Sequence, residues 1–574
     1  AARAALSLST PVLVFSGNVP HQLTIVDDIA GANNIDLSLI SVTSGTLVID
    51  TASSSNATGG GVNNTTTSNA VTVSGGATVT TGVVGTSPVN GGGSALASIN
   101  LTAGGVFNST AGVNDNFVGL VGVAGTITGT TVNGNAGDND TLTLTGGGTI
   151  SVNDGAVGGI ISNIKILAVD NLGSNINFAN ATSGITTITG GNGTEFVNLA
   201  NTGSTFLAGN INLGAGNNTL ILEAAKSYSG TYTAGSGTDT LTMGAGDSIA
   251  AAAVSGFENL NLAATGTYTM TAAQYNSFTG TVSATNTETI ALTTAGTIVA
   301  NAAIERFILA AGTNTFTAGT NTVSVIGGTG NDTFNYTATQ IAGATTLDGG
   351  LGADTLNIGA IGANLDIHSL VTGVETVNVN GSAATGYTFT NEDGAGITLN
   401  YAKGAFAAGD TVVLGAGGQT VNLLGTAATA VKVQSTAAGV DTINLSTTAT
   451  GVETIDASTT GIRSNIGAID TVANFKVAGA DVFKTGTAAT TLNLLSIATA
   501  DVSTLAAAIA TAATAAGASL AANTQAYVIT VAAGTAAGTY AFQNIGGTVG
   551  TVDATDFIVK LVGAGSIVAG DFIA

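Results

Sequence analysis

The sequence of 574 residues holds no cysteine, no tryptophan, three prolines and two histidines, and only 7 % of it is charged. Each shortage excludes something. Without cysteine there is no disulfide frame, no thiolate zinc site and no cysteine nucleophile. A chain that avoids the residue altogether fits an exported bacterial protein better than a disulfide-stapled domain. Ten basic residues, with only Arg3 ahead of Lys165, cannot build the phosphate-neutralising stripe that nucleic acid requires. Aromatics are few (9 Tyr, 18 Phe), which argues against a carbohydrate-stacking groove. There is no His-Glu-x-x-His and no Gly-x-Ser-x-Gly elbow, and His21 and His368 read as surface or turn residues. Carboxylate pairs such as Asp27-Asp28 read as solvated turns, so no enzyme activity is expected. The longest apolar stretch, Leu505 to Ala522, is alanine-rich and interrupted by Thr511, Thr514, Gly517 and Ser519. It falls short of the ~20 strongly apolar residues of a spanning helix, so no transmembrane segment is expected. Ala1–Thr10 lacks a signal-peptide pattern and an initiating Met, which points to a processed chain or a piece of a longer one.

What the chain does have is glycine (83 residues), acid (net charge −23) and a 44 % hydrophobic content, enough for a core. A short phrase recurs: an acid or amide, usually Thr, then apolar, polar, apolar. It starts at Asp140, Glu195, Asn218, Asp239, Glu258, Glu288, Asp332, Asp354, Glu375, Asp410, Gln419, Asp441 and Glu453. Period-two alternation with Thr and β-branched residues is a short, half-buried strand. Asp332, Asp354, Glu375, Ile397 (which lacks the acid), Gln419 and Asp441 follow one another at 22, 21, 22, 22 and 22 residues, and Glu195, Asn218 and Asp239 at 23 and 21. So constant a step stacks each coil on the last and aligns equivalent strands in one parallel sheet. A meander of hairpins would show varied spacings and more Asn-Gly turns. Proline cannot donate to such a ladder, and none follows Pro88.

The fold class expected is all-β: a parallel β-solenoid or β-roll with coils of about 22 residues over residues 131–460. Residues 1–130 read as an irregular β region, with strand-like runs at Pro11–Ser16, Gln22–Val26, Gly45–Asp50 and Ala70–Val73. Residues 461–574 read as a small C-terminal region with one helix, Val502–Ala522, placed to be capped by Asp501.

Two segments carry the sharpest chemistry. Gly327 to Asn335 and Gly349 to Asn357 both read G-G-x-G-x-D-x-U-x in full, 22 residues apart. Calcium takes six to eight hard oxygen ligands, and a turn supplies carbonyls only if its backbone bends sharply, which glycine allows. The candidate Ca2+ ligands are therefore Gly327, Thr329, Gly330, Asn331 and Asp332 in one turn, and Gly349, Leu351, Gly352 and Asp354 in the next. Degenerate copies add Asp239 (Ala234-Gly-Ser-Gly-Thr-Asp) and Glu195 (Gly190-Gly-Asn-Gly-Thr-Glu), while Asn218 and Gln419 offer only neutral amides.

These repeats, with the acidic, Thr/Ala/Gly-rich and cysteine-free composition, resemble the RTX proteins of Gram-negative bacteria over roughly residues 130–574. Ile469–Phe483 looks like the segment that commonly closes an RTX roll. The final Gly570-Asp571-Phe572-Ile573-Ala574 is similar to the terminus of type I secretion substrates. Gly-Val-Glu-Thr-type strands at Gly373–Val379 and Gly451–Ala457 bring the likeness closest to RTX-type S-layer proteins. Only two complete nonapeptides occur, which favours a wider, more irregular solenoid over the simple roll. The resemblance implies calcium binding, export by a type I route and an extracellular, cell-surface location. It also implies self-assembly of copies into a lattice and attachment to lipopolysaccharide or another surface polymer; residues 1–130, which it leaves unassigned, are a candidate anchoring or assembly domain. The alternatives it leaves are an RTX adhesin or biofilm-matrix protein and the non-catalytic part of a secreted RTX enzyme.

Overall fold

The structure is a computed structural model. Ahead of residue 101 it describes the backbone of short strands alone. From residue 101 it describes the chain except 102–105, 110–113, 122–128, 153–159, 179–183, 201–205, 286, 345, 360, 362, 368, 382–386, 392–395, 404–409, 416, 425–430, 436–438, 449–450, 459–463, 478–479, 519, 521–523 and 546–549. His368 thus lies outside the described residues, as does the whole of the Ser53–Asn69 stretch. The chain divides into two units, Ala1–Ala291 and Leu292–Ala574.

Both units are parallel β-solenoids. In the first, an eleven-stranded sheet runs from His21–Thr24 through Thr46–Asp50, Thr78–Thr81 and Ser98–Asn100 to Ala253–Ser255. The parallel ladder therefore begins well before the regular spacing does, and His21 opens its first strand. Six- and seven-stranded sheets, Ile35–Leu37 to Ile160–Ser162 and Gly148–Val152 to Val282–Ser283, form the other faces. Pro88 is the first residue of its strand, Pro88–Gly91, where the missing N–H is tolerated.

In the second unit the period-22 strands pair in the register their spacing predicts. Thr333, Thr355, Thr376, Thr398, Thr420 and Thr442 stand side by side. One residue on, Phe316, Phe334, Leu356, Val377, Leu399, Val421, Ile443 and Val472 form a single buried column. Parallel strands lie about 4.8 Å apart, so each coil adds one apolar rung to a core that no coil could close alone. The same strands turn Asn outward. Asn357, Asn378, Asn400, Asn422 and Asn444 each donate a side-chain amide hydrogen to the side-chain carbonyl of the Asn one coil before, starting at Asn335, at 2.7–2.9 Å. This outer Asn ladder recurs at the fourth letter of the sequence phrase, a signal visible in the period itself.

Two short helices interrupt the coils, Ala272–Ser277 and Ala338–Gly343, each opened by a Thr-x-x-Gln capping box, Thr271 with Gln274 and Thr337 with Gln340. The sequence reading placed a helix only near the C-terminus, because six residues are too few for a visible apolar period. That C-terminal helix runs over Leu505–Ala515 behind a 3₁₀ turn, Val502–Thr504. It stops short of Ala522, with Gly517 at φ +68° just beyond it. Asp501 does not cap it through its side chain. Its carboxylate instead accepts the Thr535 N–H at 2.9 Å and the Thr535 hydroxyl at 3.0 Å.

The helix belongs to a cap that ends the solenoid. Asp470–Ala473 pairs in parallel with Phe557–Val562, which pairs antiparallel with Gly538–Gln543 and that with Gln525–Val531. Leu505, Ile509 and Ala513 close the far side against Leu495, Ile497, Tyr527 and Ile529. The terminal Phe572–Ile573 is itself a strand, paired with Val482–Lys484, and Phe572 packs on Phe483 and Phe557. Lys476 Nζ meets Asp571 Oδ1 at 2.7 Å, fastening the same segment. Replacing a column residue opens a cavity between coils, so Leu356→Ala should cost about 2–5 kcal/mol. Leu351→Ala, at a position 72 % exposed, should stay within about 0.5 kcal/mol. Urea unfolding midpoints of the two variants check this.

Candidate functional site

Most of the acids and amides that open the strand phrases are buried, with Glu258 half-buried and Glu375 exposed. Asp140, Glu195, Asn218, Asp239, Asp332, Asp354, Gln419 and Asp441 are all essentially inaccessible to solvent. The reason lies in the corner between turn and strand, where one backbone N–H per coil has no strand to bond. The equivalent side chain one coil further on supplies the acceptor. In the first unit the Glu195 N–H donates to Asn218 Oδ1 at 2.8 Å, Asn218 to Asp239 Oδ1 at 2.7 Å and Asp239 to Glu258 Oε2 at 2.8 Å. In the second, the Asn314 N–H donates to Asp332 Oδ1 at 2.8 Å, Asp332 to Asp354 Oδ1 at 2.7 Å and Asp354 to Glu375 Oε2 at 2.7 Å. Ile397 offers no acceptor and breaks the chain. It resumes from Gln419 to Asp441 at 2.9 Å and from Asp441 to Asp470 at 2.8 Å.

The second oxygen of each carboxylate distinguishes the rungs. In the amide coils its place is taken by nitrogen, and that nitrogen shows what surrounds it. Asn218 Nδ2 donates to the carbonyls of Gly214, Ala215 and Gly216 at 3.4–3.5 Å, and Asn314 Nδ2 to those of Ala310 and Gly312 at 2.9 and 3.0 Å. The Gly-x-Gly turn is thus a cradle of acceptors. Where an acid replaces the amide, oxygen faces that cradle. Asp239 Oδ2, Asp354 Oδ2, Asp441 Oδ2 and both carboxylate oxygens of Glu195 are buried without a hydrogen-bond partner. Asp332 differs, because its Oδ2 accepts the Gly328 N–H at 3.1 Å and its Oδ1 also receives Asn314 Nδ2 at 2.9 Å.

The two complete nonapeptides therefore stack but are not equivalent. Thr329 and Leu351 bridge in parallel, Gly330 N–H donates to the Leu351 carbonyl at 2.7 Å, and Asn331 Oδ1 accepts the Ala353 N–H at 3.0 Å. Gly349 has no room for a side chain. A Cβ there would stand 2.0 Å from the Gly373 carbonyl oxygen and 2.8 Å from Asp354 Oδ2. At Gly216, with φ +104°, it would stand 1.9 Å from the Gly193 oxygen. These glycines are needed for coil-to-coil approach as well as for the bend. Glu195 and Asp239 lie in the first unit's ladder with Asn218 between them, and Asp332 and Asp354 are successive rungs in the second.

Burial without a cation is costly for such groups. It pushes the Glu195 carboxyl up to about 7, with the charge of Asp170 reinforcing, and it raises Asp239 and Asp354 as well. Glu453, whose oxygens share the Ser446 N–H, and Asp470 are each pushed up to about 7, mainly by burial. The sequence reading did not single out Asp470 or Glu453 as perturbed groups, since nothing in a phrase shared with exposed turns marks depth. Among the described residues no three acidic or histidine side chains converge on one point, so a cation would draw most of its ligands from turn carbonyls. The donor set is all oxygen, which suits a hard cation, and the orphaned oxygens place the fit at Glu195, Asp239 and Asp354 more than at Asp332.

No family model, curated protein or solved structure matches the chain. Also among the described residues, no helix is long and apolar enough to cross a membrane.

Two outcomes follow for the chelated protein. Asp354→Asn keeps the acceptor for Asp332 and turns a donor toward the cradle, so it should unfold at equal or higher denaturant. Asp354→Ala orphans the Asp332 N–H and should cost about 1–3 kcal/mol. Glu453 and Asp470 carry folded pKa values near 7, above their unfolded values, so the native state binds the extra protons. Stability should therefore fall as pH rises from about 4 to 7. Melting the chelated chain at pH 5 and pH 8 checks the sign: the melting point should be higher at pH 5.

Proposed function

We propose that this chain is an RTX-type structural subunit of a calcium-dependent bacterial surface layer, exported by a type I route and assembling outside the cell into a lattice of its own copies. The observation that carries the reading is the set of orphaned carboxylate oxygens at Glu195, Asp239 and Asp354, each buried on a glycine turn of a stacked parallel solenoid. Calcium bound there would supply the missing positive partner, with Gly327, Thr329, Gly330, Asn331, Gly349, Leu351 and Gly352 lending turn oxygens around Asp332 and Asp354.

The chain's own residues set the terms. At −23 a chain repels itself and its neighbours, and a divalent ion offsets both. An ion bound only by the folded form stabilises it by about 2.7 kcal/mol per site at a hundredfold excess over Kd. A chain left loose in calcium-poor cytosol can then pass through an exporter and fold outside. The role is structural and not catalytic, and attachment would be to lipopolysaccharide or another surface polymer.

Electron microscopy of the purified chain in millimolar calcium, and again after chelation, tests this. Ordered sheets that vanish on chelation are expected. Dispersed elongated particles in both conditions would overturn self-assembly and favour an adhesin. Terbium luminescence adds a site test: Asp239→Asn and Asp354→Asn should each lower the bound stoichiometry, and Asp332→Asn should lower it less.

A further inference from the structure

The cap ends in an unguarded edge. Thr491–Ile497 is the outermost strand of the thirteen-stranded sheet, and at seven residues no described strand is longer. It pairs in parallel with Gln525–Val531 on one side. The Thr491 N–H donates to the Thr524 carbonyl and the Ile497 carbonyl accepts from Ala532, so the odd-numbered residues face that neighbour. By the alternation of a strand, the N–H and C=O of Leu492, Leu494 and Ser496 point outward along the edge. Their side chains lie on the face away from the helix Leu505–Ala515, which covers Leu495 and Ile497. Leu494, at the centre, is 75 % exposed.

Natural edges are blunted by charge, proline, bulges or brevity. Here none applies: from Thr485 to Ala500 there is neither a charged residue nor a proline. The geometry points to a two-fold contact in which Thr491–Ile497 pairs antiparallel with the same strand of a second copy, centred on Leu494. The strand is self-complementary for this pairing. Leu494 meets Leu494, and Leu492 meets Ser496, so outward groups face outward groups and each pair exchanges both hydrogen bonds. The two Leu494 side chains come together on one face, about 5.5 Å apart at Cα. In a chain of net charge −23, this neutral segment lets copies approach without like-charge repulsion at the contact. The contact deepens the self-assembling reading above, on which the choice of a second copy rests.

Sedimentation velocity of the full chain across a concentration series tests it, with Leu494→Lys and Leu492→Pro as variants. Lysine sets like charges opposite one another. Proline removes an outward N–H alone and leaves the bonds to Gln525–Val531 in place. Each variant should weaken the dimer by about tenfold or more with an unchanged melting curve. Because the chain has no other cysteine, Leu494→Cys treated with a short bismaleimide should give one crosslinked dimer. A chain monomeric at every concentration, a dimer indifferent to both variants, or absence of the crosslink would overturn the contact. The two readings separate cleanly. Undiminished sheets from Leu494→Lys would remove the edge contact and leave the surface layer standing. Dimers through Leu494 without calcium-dependent sheets would do the reverse.

Discussion

Everything in this solenoid depends on one hydrogen bond repeated from coil to coil: the backbone N–H at the start of a strand, given to the acid or amide of the next coil. A parallel stack has a natural supply of strand bonds along its flat faces, but each corner strands a donor. The bond from Asn218 to Asp239 and the bond from Asp332 to Asp354 solve that problem in the same way, at the same 2.7 Å, in two separate units. The acid is therefore first a structural residue. It fixes the corner, sets the coil spacing, and brings the Thr and apolar columns of successive strands into register.

The cost of that solution is charge in the wrong place. An Asn at the rung satisfies both ends of its amide, one against the neighbouring backbone and one against the Gly-x-Gly carbonyls. An Asp satisfies only the first. What remains is a buried, anionic, oxygen-lined turn, and three resolutions are open to it. Asp332 takes a backbone N–H from Gly328, Asp470 and Glu453 favour a proton, and Glu195, Asp239 and Asp354 suit a hard cation. The calcium dependence we propose would then be an outcome of ladder chemistry rather than a separate device attached to the fold. The glycines serve the same end, since a Cβ at Gly349 would collide with both the next coil and the Asp354 carboxylate.

Much of this was legible in the sequence because solenoids write their period directly. The steps from Asp332 to Asp441 gave the coil length, the parallel register and the sheet to which each strand belongs. The Thr and Asn of phrases such as Asp354-Thr-Leu-Asn gave the outer face. What sequence could not carry was depth and direction. The G-G-x-G-x-D pattern at Asp332 and Asp354 looks identical in letters, yet one carboxylate is saturated and the other is half orphaned, because the Gly328 N–H reaches Asp332 Oδ2 while its counterpart at Gly350 goes to Asp348. The early start of the ladder was hidden because the coils before residue 130 vary in length, which erases the period while preserving the pairing. The helices at Ala338–Gly343 and Ala272–Ser277 were too short to leave a period, and Asp501 was drawn off its cap by Thr535, far along the chain.

The most direct test of the ladder is amide hydrogen exchange read at single residues in the chelated protein. The account predicts that the N–H groups of Asn218, Asp332, Asp354 and Asp441 are protected as well as the strand amides of Leu220, Leu356 and Ile443, whatever the state of the turns around them. Exchange at those four positions as fast as at exposed residues such as Val440, recovering only when calcium is added, would contradict it. The ion, and not the side-chain acceptor, would then be what closes the corners.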